Sequence, residues 1–441
     1  IEEMVPQNHL VRKLEKGIDF NFIYKKVEHL YSTVGKPSID PVVLFKLLIL
    51  NIVDGNNSMR KTCERAQTDM AYRWFLGLDA FDSIPNYSTW SQNYIRRYKD
   101  SNIFNEIFDE ILSQAIKKKF VDVETVFGDG THQKANANTK KNHKEQVEIV
   151  AKQYEDALLK EINEDRECIG KKPIESTVKT ETVYNEETGE IKEVTKTKEI
   201  TVSETDPESG LFHKGEKQKC FAYAHQTFCD KNGFVLTVKT FPGNVHDSVA
   251  FFDTYKELNE RFPNQIKNVS LDAGYKSPAI CREIIENGQK AFLPYTRIKG
   301  KKGYLKKYEF VYDEEYDFYI CPNDKTLYYT TTNKEGYREY KSEVKDCENC
   351  PFKSRCTKSA VKLITRHVWE DYQEQVNELR YTEEWQKIYP LRKQSIERVF
   401  ADYKEKFSMR FTRINGLKKN QHQTLIAFAC HNLKRMALWS W

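Results

Sequence analysis

The sequence predicts a mixed α/β protein that follows an all-helical leading segment, and three observations carry that reading. Apolar residues recur at helical spacing through the first 120 or so positions. From residue 121 short apolar runs alternate with amphipathic stretches, the order expected of a mixed sheet with helical cover. After residue 368 the chain returns to helical periodicity, apart from a stretch around 408–420.

In the leading segment, IDPVVLFKLLILNIVDGN places Asp40 as an N-cap, Pro41 at the first helical position and Gly55 past the end. SMRKTCERAQTD and YSTWSQNYIRRYK read as two short helices opened by Ser58 and Ser88. SNIFNEIFDEILSQAIKKKF repeats apolar pairs at 103/104, 107/108, 111/112 and 115/116, a strong helical stripe. Arg60, Lys61, Arg65, Arg73, Arg96 and Arg97 would suit a helix-turn-helix-like module, and a plain helical bundle with a basic surface explains them too.

Beyond it, Val121–Phe127 reads as a strand and 143–166 as a charged helix. TVKTETVYNEETGEIKEVTKTKEITV alternates apolar and charged residues around a turn, a hairpin inserted at about 170–205. KCFAYAHQTFCDKNGFVLTVKTF reads as a better-buried hairpin turning at Asp230–Gly233. A helix near 247–262, strand KNVSLDAGY, helix SPAICREIIENG and strand KAFLP follow. The domains expected are 1–120, helical; 121–295, mixed α/β; 296–366, a basic, cysteine-bearing insertion; and 367–441, a helical part that completes the α/β domain.

Composition narrows the class. The 441 residues carry a net charge of +5, too little to identify a nucleic-acid partner without clustering. No apolar run approaches the roughly 18 residues of a membrane span. Glu2 and Glu3 stand where a signal peptide carries positive charge, so a cytoplasmic protein is expected. Ten cysteines in a chain of this size do not suggest a disulfide framework.

Three carboxylates stand out. Asp129, between Gly128 and Gly130, follows the apolar run Val123–Phe127, and Asp272 follows Val269 and Leu271 in VSLDAGY. Both are expected at the carboxyl ends of strands, where α/β sheets place functional groups. In RKQSIERVFADYKEKF, Ile396, Phe400, Tyr403 and Phe407 form one core-facing stripe and Glu397 lies beside it. Taken singly, each aspartate reads as a turn residue rather than a ligand, and Glu397 as part of a solvated helix face. Together they are what a two-metal phosphoryl-transfer site needs, because Mg²⁺ takes hard oxygen ligands. Without cations, carboxylates about 4 Å apart would repel by a few kcal/mol at an effective dielectric near 20.

FGDGTHQKANAN, LDAGY and IERVFADYK resemble the three active-site segments of the DDE transposases of bacterial insertion sequences, most closely the group numbered eleven-eighty-two. IPNYSTWSQNYIRRY, SETDPESGLFHKGEK, FPGNVHDS and CENCPFKSRC extend the likeness over nearly the whole chain. The resemblance implies a ribonuclease-H-like core that cuts and joins DNA at terminal inverted repeats, with two Mg²⁺ or Mn²⁺ held by Asp129, Asp272 and Glu397. It also implies a homodimer on double-stranded DNA, acting on element ends and target in the bacterial nucleoid. Arg398 and Lys404 match basic positions that hold DNA phosphate. One related pattern is met only in part: Lys404 follows Glu397 with six residues between, but Arg392 precedes it with four rather than three. Tyr389 and Arg392 are therefore not carried over. A ribonuclease-H-like nuclease without strand transfer and a domesticated, non-cutting DNA binder are the rival readings.

Two basic stretches are expected to contact phosphate. TRIKGKKGYLKKYE contains Arg297, Lys299, Lys301 and Lys302; KEKFSMRFTRINGLKK contains Lys404, Arg410 and Arg413. Cys347, Cys350 and Cys356, with Cys321 upstream, could bind one structural Zn²⁺ or stay reduced thiols. His246-Asp247 fits a site-bordering loop or a helix opened by Asp247.

Overall fold

A computed structural model describes residues 1–32, 34–35, 38–55, 58–148, 153–176, 180–184, 191–195, 197–214, 218–296 and 300–440. Two compact units emerge. The first comprises Ile1–Lys144, Thr201–Leu271 and Gln386–Trp441; the second comprises Glu145–Ile200 and Asp272–Trp385.

The first unit opens with helices. In α1 (Pro41–Val53) the Asp40 carboxylate accepts from Val42 N–H at 2.7 Å, so the expected cap and proline are both present. Ser58 caps the helix Met59–Thr68. Tyr87–Asn93, however, is capped by Asn86 rather than Ser88. The extended backbone at Asn86 brings its side-chain oxygen to Ser88 N–H at 3.0 Å, leaving the serine inside the first turn. In α2 (Ile103–Lys117) the predicted stripe is buried from Ile103 to Ala115, including Ile107, Phe108, Ile111 and Leu112, but its last member, Ile116, is exposed. Each of those four buried side chains contributes about 1.5–3 kcal/mol by leaving water. That face packs on α5 (Leu417–Trp439), a long helix buried along most of its length.

The unit's sheet is built from β1 (Thr125–Lys134), β2 (Gly210–Lys214), β3 (Gln218–Asp230), β4 (Val235–Pro242) and β5 (Asn268–Ser270). Their order is β5-β1-β3-β2, with β4 also on β3. β1 runs antiparallel to β3 from Val126↔Asp230 to Lys134↔Ala222. Its parallel pairing with β5 covers only Thr125–Phe127 against Asn268–Ser270. Val126, Phe127, Phe228, Cys229, Leu236 and Val269 fill the core. α3 (Asp247–Arg261) packs on β3 and β4, and α5 packs on β4. The β3–β4 hairpin turns where expected, with Asp230 accepting from Phe234 N–H at 2.7 Å and Gly233 at φ +78°.

Two expectations fail locally. Asp129 does not end its strand. Pairing with the long β3 carries β1 on to Lys134, whereas short β5 leaves the other edge after Phe127. The helix expected over 143–166 is shorter, at Glu155–Cys168, because Asn142–Glu148 is drawn into a two-stranded sheet with Thr197–Ser203.

The second unit contains a five-stranded antiparallel sheet in chain order: β6 (Val311–Asp313), β7 (Phe318–Ile320), β8 (Thr326–Thr332), β9 (Tyr337–Ser342) and β10 (Leu363–His367). Phe310, Tyr319, Leu327, Tyr340 and Ile364 form its core. The predicted inserted hairpin is present as Thr180–Tyr184 antiparallel to Ile191–Thr195, while its turn at 185–190 lies outside the described residues. The class is therefore mixed α/β after an α-rich start, consistent with a ribonuclease-H-like core. Among the described residues no helix is long and apolar enough to cross a membrane.

A candidate catalytic site around Asp129

Gly128 explains itself by packing rather than by a turn. A Cβ there would lie 2.4 Å from the Phe228 ring and 2.6 Å from a Leu271 methyl. Only glycine lets β1 pass between these side chains on its way to Asp129. Immediately beyond, β1 has lost β5 as a partner, and a buried arginine fills the gap. Arg392 Nη1 donates to the carbonyls of Gly128 and Ser270, each at 3.0 Å. Its Nη2 donates to Asp129 Oδ2 at 3.2 Å. The other carboxylate oxygen, Oδ1, accepts from Gly130 N–H at 2.8 Å. Asp129 is half-buried and Arg392 is only 4% exposed. Charge-assisted hydrogen bonds of this kind contribute about 1.5–3 kcal/mol each.

Glu397 sits on α4 (Ile396–Ala401), which continues into a π-turn at Asp402–Lys406. The predicted stripe is buried: Ile396, Phe400, Tyr403 and Phe407 face the core while Glu397 is exposed beside them. Tyr403 anchors the segment. It stacks on Phe428 with 4.7 Å between ring centroids, and its hydroxyl lies 3.3 Å from Thr424 Oγ1. Below β1 runs a buried polar chain. His225 Nε2 donates to Gln133 Oε1 at 3.0 Å, and His225 Nδ1 accepts from Thr240 Oγ1 at 3.0 Å. Full burial lowers the His225 pKa to about 3, so the ring is neutral and this tautomer serves both partners.

Asp272 begins the second stretch of the second unit, two positions after Ser270 ends β5. Its carboxylate accepts from Gly274 N–H at 2.7 Å and caps the turn Ala273–Tyr275. Among the described residues, no three His, Cys, Asp or Glu side chains are gathered in a metal-holding arrangement. The predicted zinc set therefore finds no support. The four cysteines are nonetheless neighbours: burial raises the Cys356 thiol pKa, and Cys347, Cys350 and Cys321 add to that rise. Cys347 lies 3.1 Å from Ser342 Oγ.

Of the predicted basic residues, Arg398, Arg410 and Arg413 are exposed in the first unit, and Arg410 pairs with Glu405. Lys404 is half-buried. Lys301 and Lys302 are exposed in the second unit, with Lys301 Nζ 4.8 Å from the Tyr304 ring centroid. Arg297 and Lys299 lie outside the described residues. His246, not Asp247, caps α3, its ring accepting from Ser248 N–H at 3.2 Å. Spacing set Arg392 aside; the signal that could have found it is an arginine five positions before a candidate ligand.

Two family models match the chain: "Transposase domain (DUF772)" over residues 1–96 and "Transposase DDE domain" over residues 320–437. These two matches support a DDE transposase of insertion sequences. The DDE match contains Glu397, Arg392 and all four clustered cysteines, and the other covers the first helices of the leading segment. No curated protein and no solved structure matches the chain.

Proposed function

We propose that this transposase cuts and joins DNA at the terminal inverted repeats of its element, using Asp129, Asp272 and Glu397 as its metal-holding acids. The observation that carries the reading is the Asp129 setting, a carboxylate held from both sides at the point where the β1 and β5 ladder stops. The donor set fits the metal, since all three side chains offer hard carboxylate oxygens. Bound there, two Mg²⁺ or Mn²⁺ would stabilise charge on the attacking and departing oxygens of an in-line displacement.

The chain's own residues do the rest. Arg392 and Gly130 N–H orient Asp129, and the Tyr403 anchor fixes the segment bearing Glu397. Arg398, Lys404, Arg410, Arg413, Lys301 and Lys302 are assigned to DNA phosphate. The helical segment 1–120 is assigned to DNA recognition, and the active species to a homodimer working in the bacterial cytoplasm on nucleoid DNA. Membership of the group numbered eleven-eighty-two belongs to the same reading. Zinc at the four cysteines rests on their proximity alone, and metal analysis of the purified chain should then find about one zinc per chain.

The test is to incubate the chain with a labelled repeat-end duplex and a target plasmid, in Mg²⁺ or EDTA. Metal-dependent nicking at the repeat boundary plus joined product supports the proposal. Nicking without joining favours the nuclease reading, and binding without cutting favours the domesticated binder.

A further inference from the structure

We propose that Arg392 is a positioning residue that fixes Asp129 relative to the Glu397 segment and makes no contact with DNA. The inference rests on the reading of Asp129 as a metal ligand. It starts from where the backbone acceptors are. β1 and β5 part after Phe127 and Ser270, so the next carbonyls on that edge lose their ladder partners. Buried carbonyls need donors. Arg392 supplies them at Gly128 and Ser270 through one nitrogen and reaches Asp129 Oδ2 through another.

Only a planar fork does this. A guanidinium presents several donors in fixed directions, whereas a lysine ammonium is a point charge that cannot span both carbonyls and the carboxylate. The arginine side chain is 5% exposed, against 23% for Asp129, so its charge is directed into the protein and away from any phosphate backbone. Arg398, six residues on, is exposed and can meet DNA.

Position along the chain gives the clamp its consequence. Arg392 lies in the turn Tyr389–Lys393, and Ser395 Oγ donates back to Leu391 O at 2.8 Å. The start of α4 is thereby tied to the same short segment. One residue links the strand carrying Asp129 to the helix carrying Glu397, and it places a positive charge on Asp129 that offsets part of the acid's charge. Groups that orient a ligand in this way set metal affinity, and losing one weakens binding about 10–100-fold.

The full-length chain, Arg392→Lys, Arg392→Gln and, as a phosphate-contact control, Lys404→Ala should be compared by three measurements. These are Mn²⁺ binding followed by electron paramagnetic resonance without DNA, the salt dependence of binding to a repeat-end duplex, and thermal melting. Arg392→Lys is expected to melt cooperatively and keep the wild-type salt slope, while binding Mn²⁺ about tenfold more weakly. Lys404→Ala is expected to lower the salt slope by about one. Wild-type Mn²⁺ affinity in Arg392→Lys would overturn the proposal, as would a salt slope reduced like that of Lys404→Ala. Should Arg392→Gln fail to fold, the lysine variant decides. If the wild-type chain binds no Mn²⁺, the ligand reading of Asp129 falls first, a result distinct from unchanged binding in the variant.

Discussion

Arg366 in the second unit and Arg392 in the first are both buried, and they are satisfied in opposite ways. Arg366 in β10 is 1% exposed and faces two carboxylates, Asp371 and Glu374, the latter at 2.6 and 2.7 Å. Its guanidinium also lies 4.1 Å from the Tyr312 ring centroid. Arg392 is nearly as buried but spends two of its three hydrogen bonds on backbone carbonyls and the third on Asp129. The first arrangement holds a strand to the helix Glu370–Leu379 and uses acids that reach solvent. The second organises a strand end and engages the acid expected to do chemistry. Buried charge alone therefore does not mark a site. On the proposed reading, what marks it is a cation satisfied by backbone where a ladder stops, beside a carboxylate.

The comparison can be broken from both sides. Asp129→Asn should lower repeat-end cutting about a thousandfold, the scale of losing one preorganised electrostatic group. Asp371→Asn should leave the cutting rate per folded molecule at wild type. Equal losses in a single-turnover assay would erase the distinction.

Arg366→Ala should reduce stability by about 2 kcal/mol in urea unfolding. That is below the roughly 3–5 kcal/mol of breaking a fully buried pair, because both carboxylates can rehydrate. Its cutting rate, corrected for folded fraction, should not change. Gly128→Ala should cost about 1–3 kcal/mol through overpacking against Phe228 and Leu271. It should also reduce cutting, because Asp129 is the next residue.

The first unit has an acid-sensitive side. Burial lowers His225 to about 3 and His422 and His431 to about 4, from 6.5. Their folded values lie below the unfolded one, so the stability they contribute is complete above about 6.5 and falls as pH drops towards 4. Asp230 works the other way, raised by burial to about 7, and offsets one of the three. Melting temperature should therefore fall between pH 7 and 5, and His225→Gln should flatten that dependence. The smallest effect is expected at the rim, where Arg413→Ala should lower the salt slope of DNA binding by about one without altering melting.

What was legible in the sequence is what local periodicity encodes. The caps of α1, the stripe of α2, the β3–β4 turn and the buried face of α4 all follow from residues within a few positions of one another. Asp129 and Glu397 were found as candidates for the same reason. The placement of Asp129 inside β1 was not legible, because it depends on β3 running on where β5 stops. Nor was Arg392, whose carbonyl partners lie 264 and 122 residues away and have no side-chain signature. The early part of the expected 143–166 helix failed likewise, since a distant strand claimed it.

The most direct measurement is cleavage of a labelled duplex carrying the element's terminal repeat, with Mg²⁺ or EDTA, by wild type and by Glu397→Gln. Glu397 is exposed, and the change removes charge while keeping shape, so folding and DNA binding should survive. The account predicts Mg²⁺-dependent cutting at the repeat boundary by the wild type and only background from the variant at equal occupancy. Undiminished cutting by Glu397→Gln would contradict it.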